Sequence, residues 1–137
     1  YINENNNFFN QMYHNLKNGK RIKLFYDQFR TPLSFTEGAR MLKELIKLII
    51  NDNKILHNEV ANFGGKERIS RTDLGYLLCD FINLDKSLID SISIKDMPNI
   101  PAVADVSMNI DKIKDLNIVP HSIIEMLNLE IEKLNNI

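Results

Sequence analysis

Residues 27–35 read DQFRTPLSF, with polar side chains at Asp27, Gln28, Arg30 and Thr31. The stretch follows Ile22-Lys23-Leu24-Phe25-Tyr26, whose alternation predicts a strand with Ile22, Leu24 and Tyr26 on one face. Downstream, Ser34 and Glu37 form an S-x-x-E capping box. The helix they open is expected to bury Met41, Leu42, Leu45, Leu48 and Ile49. Residues 27–35 therefore connect a strand to a helix, a place where α/β proteins bind ligands. Gln28 offers both a donor and an acceptor, and Arg30 carries a planar fork suited to phosphate. Pro32 presets its own φ. The alternative is a turn closed by Asp27 and Gln28 with Arg30 solvated. The residues alone leave the two readings equally open.

Working outward, residues 6–18 place Phe9, Met12, Tyr13 and Leu16 on one helical face, and Gly19 stops that helix. Residues 55–63, ILHNEVANF, are a second strand candidate, closed by Gly64-Gly65. Ser70 and Asp73 start a helix over about 71–82 with Leu74, Leu77, Leu78 and Phe81 inward. SLIDSISI is compatible with a helical turn or a strand, and MPNIPAVADVSM reads as loop. Asn109 is placed to cap a short helix running through Leu116, and Pro120, Ser122 and Glu125 open the last one. The fold class is α/β, a small α+β lobe of helices with two or three short strands. That is a thin sheet for a self-sufficient α/β domain, where about five strands are usual. The chain reads as one lobe, residues 1–137, belonging with something larger.

Bulk properties exclude several classes. The 137 residues carry a net charge of −1, which argues against nucleic acid and anionic membrane surfaces. The apolar run near Leu45–Ile50 is interrupted by Lys47 and too short to span a bilayer. The N-terminus, YINENNN, has no signal-peptide pattern, and a chain opening on Tyr1 suits a processed product or an excised fragment. A single Cys79 forbids an internal disulfide and suits a reducing, cytoplasmic setting; its apolar context predicts a buried, inert thiol. His14, His57 and His121 lack metal-ligand spacing, and His14 and His121 are expected at the surface. Gly64-Gly65-Lys66 before a helix invites a phosphate-loop reading, but neither full glycine motif is present. A turn with positive φ at one glycine is the favoured interpretation.

Read in order, NNFFNQMYHNLKNGKRIKLFYDQFRTPLSF, ILHNEVANFGGKERISRTDLGYLLCDFINLDKSLI and DVSMNIDKIKDLNI resemble the C-terminal half of dTDP-4-dehydrorhamnose reductase-like proteins. These are extended short-chain dehydrogenases/reductases. The resembling elements are Asn7-Phe8, Asp27-Gln28 with Pro32, Gly64-Gly65, Ser70-Arg71-Thr72-Asp73-Leu74, and Asp105 through Ile118. The resemblance implies the sugar-nucleotide side of a cleft, with Asn7 facing the diphosphate, Gln28, Arg30 and Thr31 lining the substrate end, and Pro32 fixing the turn. No catalytic, cofactor-binding or metal-binding residue is expected in this chain. The dinucleotide loop and the catalytic Tyr-x-x-x-Lys of the family have no counterpart here, since Tyr13 to Lys17 matches that pattern only by letter.

The implied parent is an NAD(P)-dependent nucleotide-sugar reductase or epimerase, with NAD(P)H bound by a missing N-terminal Rossmann half and none by this chain. The implied partners are a nucleotide-sugar ligand and that missing half, without nucleic acid or membrane; a homodimer is left open. The alternative is a non-catalytic relative resembling the methionine adenosyltransferase beta subunit, acting by protein binding. Two departures weaken ligand contacts: Ala102 and Val103 stand near the family's Arg-Pro, and Leu33 replaces a common Thr.

Overall fold

A computed structural model describes residues 7–51, 59–97 and 103–135, with side chains described through 130. The elements run α1 (Phe8–Lys17), β1 (Ile22–Phe25), β2 (Phe29–Arg30), α2 (Phe35–Asn51), β3 (Ile69–Ser70), α3 (Arg71–Ile82), β4 (Ile89–Ile92), α4 (Asp111–Asp115) and α5 (Ile123–Asn135). β1 and β4 pair in parallel, Ile22 opposite Ile89 through Phe25 opposite Ile92, and β2 pairs with β3. The chain divides into two compact units, 1–29 with 69–105 and 30–68 with 106–137.

In the first unit, α3 covers the parallel pair. Its Gly75 lets the helix sit close, because a Cβ there would push against the end of the Leu24 side chain and lie 3.1 Å from Ile89 Cδ1. The buried Thr72 hydroxyl donates to the Leu24 carbonyl at 3.0 Å. Met12, Tyr13 and Leu16 of α1, Leu24, Ile89, and Leu74, Leu78 and Cys79 of α3 are all buried. The Cys79 thiol is inside as expected, and burial pushes its pKa up. Leu77 and Phe81 are only half-buried, because the face toward the strands is narrow. Tyr26 lies one residue beyond β1 and is exposed, contrary to the expected strand face. Ser70 caps α3 by accepting from the Asp73 amide, as its spacing predicts.

The second unit packs Met41 and Leu45 of α2 against Ile113 and Ile118, with Leu33, Leu48, Phe63 and Leu116 around them. Leu42 and Ile49 were expected in this core and are instead exposed: with Met41, Leu45 and Leu48 turned inward, they fall about a quarter-turn away, on the flank of the helix. The strand expected over 55–63 is not formed at 59–63, and 55–58 lie outside the described residues. Four short strands stand among the described residues instead of two or three. Asn109 does not cap α4 directly; Ile110 holds that place, and Asn109 Oδ1 accepts from the Asp111 amide at 2.8 Å. Ser122 and Glu125 do form a reciprocal capping box at α5, each accepting from the other's amide.

Glu37 departs from its expected role. Ser34 Oγ accepts from the Glu37 amide, but the Glu37 carboxylate turns inward and is buried. Arg40 grips it with two hydrogen bonds of 3.0 and 2.6 Å, and the His121 amide and Nδ1 each donate at 2.8 Å. Arg40 also reaches the Val119 carbonyl and Glu44. His121, expected as a plain surface residue, is thereby half of a latch between α2 and the entry to α5. Burial pushes the Glu37 carboxyl up, but the hydrogen bonds from Arg40 and His121 outweigh it and hold the pKa at about 2, below the usual 4.5.

A depressed carboxyl pKa stabilises the fold above its unfolded value and stops doing so as pH falls through the folded value. The latch is therefore at full strength above about pH 4.5 and fades toward pH 2. Glu37→Gln should cost about 3 kcal/mol at neutral pH. In urea unfolding, the gap between wild type and variant should close as pH falls through that window. A gap independent of pH would contradict the assignment.

Candidate functional site

Asp27 ends the β1 side of the connection and serves it structurally. Its carboxylate accepts from Ser93 Oγ at 2.6 Å and from the Ile94 amide at 2.9 Å. The Ser93 and Ile94 hydrogen bonds hold its pKa below the usual value. Gln28 is buried, with 4% of its surface exposed; its Nε2 donates to the Val103 carbonyl at 3.3 Å, and its Oε1 has no hydrogen-bond partner among the described residues. Asn7 is exposed at the head of α1, where its Oδ1 accepts from the Asn10 amide at 2.8 Å. Arg30 is half-buried in β2. These placements make Gln28 an interior residue of the first unit and Asn7 a helix cap.

In the second unit, Thr31 and Pro32 meet the Gly64-Gly65 pair. The Gly65 amide donates to the Thr31 carbonyl at 3.1 Å. A Cβ on Gly65 would collide with the Pro32 carbonyl, and one on Gly64 would lie 2.9 Å from Thr31 Oγ1. Neither glycine has a positive φ; among the described residues only Gly19, Asn83 and Asn117 do. Gly65 is thus required for close approach of two backbones, and Gly64 for room beside the Thr31, Met108 and Ile110 side chains; neither supplies the left-handed turn expected from sequence.

Beside this contact lies an open depression of about 400 Å³, within the usual size range of ligand sites. Its walls include Thr31 and Gly65, then Lys66 and Arg68, with Ser107, Asp111 and Lys114 on the other chain segment. Thr31 Oγ1 accepts from the Met108 amide at 3.2 Å, which ties the connection to that second segment. Asn109 holds Asp111 through a 2.9 Å bond to its carboxylate. The sequence marked Thr31, weighed Lys66 and set it aside, and passed over Arg68 and Lys114. The signal was present in Gly-Gly-Lys, set aside for want of a phosphate-loop motif; Lys114 had none, because only folding brings α4 to this wall. Among the described residues there is no His, Cys, Asp and Glu cluster able to hold a metal, and no helix long and apolar enough to cross a membrane.

The close approach makes a contrast between glycines. Gly65→Ala must displace the 31–32 backbone and should destabilise by about 2 kcal/mol or more. Gly38→Ala meets only Leu33 Cδ2 at 3.5 Å inside α2 and should stabilise by about 0.5–1 kcal/mol. Paired denaturant melts test this, and equal effects would refute the contact.

No curated protein matches the chain. Among solved structures, a dTDP-glucose 4,6-dehydratase from Bacillus anthracis str. Ames, in complex with NAD, matches with a TM-score of 0.64 and 16% identity, covering 86% of this chain and 35% of that one. A dTDP-4-dehydrorhamnose reductase from Yersinia enterocolitica matches at a TM-score of 0.44 and 20% identity, over 80% of this chain and 42% of that one. The chain thus spans well under half the length of these enzymes. Its fold is that of part of an extended short-chain dehydrogenase/reductase. A family model described as the RmlD substrate binding domain matches residues 1–133. With nearly its whole length inside that match, the chain belongs to the RmlD substrate binding domain family, the dTDP-4-dehydrorhamnose reductase-like group.

Proposed function

We propose that this chain is the nucleotide-sugar-binding part of an NAD(P)-dependent reductase or epimerase. The observation that carries the reading is the family match over residues 1–133. The open, polar depression beside Thr31 supports it as a surface on which such a ligand can rest. NAD(P)H, bound by a dinucleotide-binding half of the parent, supplies the hydride; the residues of this chain bind and orient the sugar nucleotide. Thr31 contacts the ligand, and Pro32 fixes the backbone that presents it. Asn7 offers its amide NH₂ to a phosphate while its Oδ1 caps α1. Arg30 contributes its fork, and the buried Gln28 holds the connection in place.

Calorimetry on the chain tests the reading. A dTDP-sugar should bind, and NAD(H) and NADP(H) should not, because no G-x-G-x-x-G loop follows a strand. Arg30→Ala should weaken dTDP-sugar binding by about 1.5–3 kcal/mol among folded molecules, whatever it does to the melting temperature. Micromolar affinity for either dinucleotide, or a stability loss without an affinity loss in the variant, would overturn it.

A further inference from the structure

We infer that the outward side of α2 is the face on which the dinucleotide-binding half of the parent docks. This docking face rests on the nucleotide-sugar reading for the identity of that half. Phe35, Ala39, Leu42, Ile46, Ile49 and Ile50 are all exposed on α2. At the helical repeat they fall within an arc of roughly 100° and form one stripe along the whole helix. Met41, Leu45 and Leu48 occupy the adjoining arc and pack against Ile113 and Ile118. The apolar surface of α2 is therefore about twice as wide as a helix needs to cover one core. A helix with that pattern lies between two layers, and its own unit supplies one of them.

Among the described residues no other helix carries such a stripe. α1, α3 and α4 expose no large apolar side chain, and Ile124 and Leu129 of α5 point to different sides of their helix. A second copy of the chain suits the stripe poorly. In an antiparallel two-fold pair each helix edge meets the same edge of its copy, so the exposed Lys43 and Lys47 would face like charges. In a parallel pair that edge would meet the side already packed on Ile113 and Ile118. The matched dehydratase shares the fold of this chain over only 35% of its own length, so most of an enzyme of this fold lies outside the chain. Each sheet among the described residues has only two strands, which leaves the second layer for a 17-residue helix to the rest of the parent.

The test is the rate at which a maleimide labels Ile46→Cys, both in the 137-residue chain and in the full-length parent that contains it. Cys79 is buried and stays silent. Lys20→Cys, exposed in the first unit, is the control. In the 137-residue chain the two introduced thiols should label at similar rates. In the parent, Ile46→Cys should label about a hundredfold more slowly, as a site reached only by opening does, while Lys20→Cys keeps its rate. Thermal melts give a second reading. Ile46→Glu should leave the melting temperature of the 137-residue chain within about 2 °C of wild type and lower that of the parent by about 5 °C or more. Equal labelling of Ile46→Cys in chain and parent would overturn the docking face. So would labelling in the 137-residue chain that slows as its concentration rises, with a dimer in sedimentation, because the face would then belong to a second copy. Protection of Ile46→Cys in a parent without dTDP-sugar affinity would sink the nucleotide-sugar reading and spare the docking face. A parent that binds a dTDP-sugar while Ile46→Cys labels freely would do the reverse.

Discussion

The close approach of Gly65 to the Thr31–Pro32 backbone is the constraint on which the candidate site depends. Two chain segments more than thirty residues apart come within van der Waals distance only because Gly65 projects no side chain. One backbone hydrogen bond, from the Gly65 amide to the Thr31 carbonyl, fixes their register. With that contact made, Thr31 faces the Met108 amide, and Lys66 and Arg68 follow immediately on the same wall. Pro32 contributes by narrowing the conformations available to the connection before folding. The site is thus set by backbone proximity first and by charge second.

The same unit is held from the other side by a buried carboxylate. Removing Glu37 from water is costly, and the cost is offset by four hydrogen bonds from Arg40 and His121. Such a group stabilises little compared with an apolar residue of similar size, but it tolerates only one arrangement of its donors. It therefore fixes where the chain enters α5. The first unit uses a milder device, a helical glycine and a buried threonine hydroxyl that bring α3 down onto the parallel strands.

Much of this was legible in the sequence because it is local. The caps at Ser70 and Ser122, the helices they open, and the strand at Ile22–Phe25 all follow from spacing within a few residues. The burial of Cys79 followed from its apolar helix. What was not legible depends on distant partners. Glu37 satisfied the capping-box pattern, but the sequence held no sign that Arg40 and His121 would draw its carboxylate inward. Gly64-Gly65 signalled a special backbone, and only the fold shows that the demand is proximity and not a positive φ. Leu42 and Ile49 fit a helical period, and a period does not say which of two apolar flanks faces the core. Of the residues marked at the connection, Thr31 lines the depression and Pro32 abuts Gly65, whereas Gln28 lies in the interior of the other unit.

Amide hydrogen exchange at Gly65 tests the central claim most directly. If the glycine contact organises the second unit, this amide opens only when the unit unfolds, and its protection matches that of the Met41 and Leu45 amides in α2. Exchange of Gly65 near the unstructured rate, with Met41 and Leu45 still protected, would contradict the account.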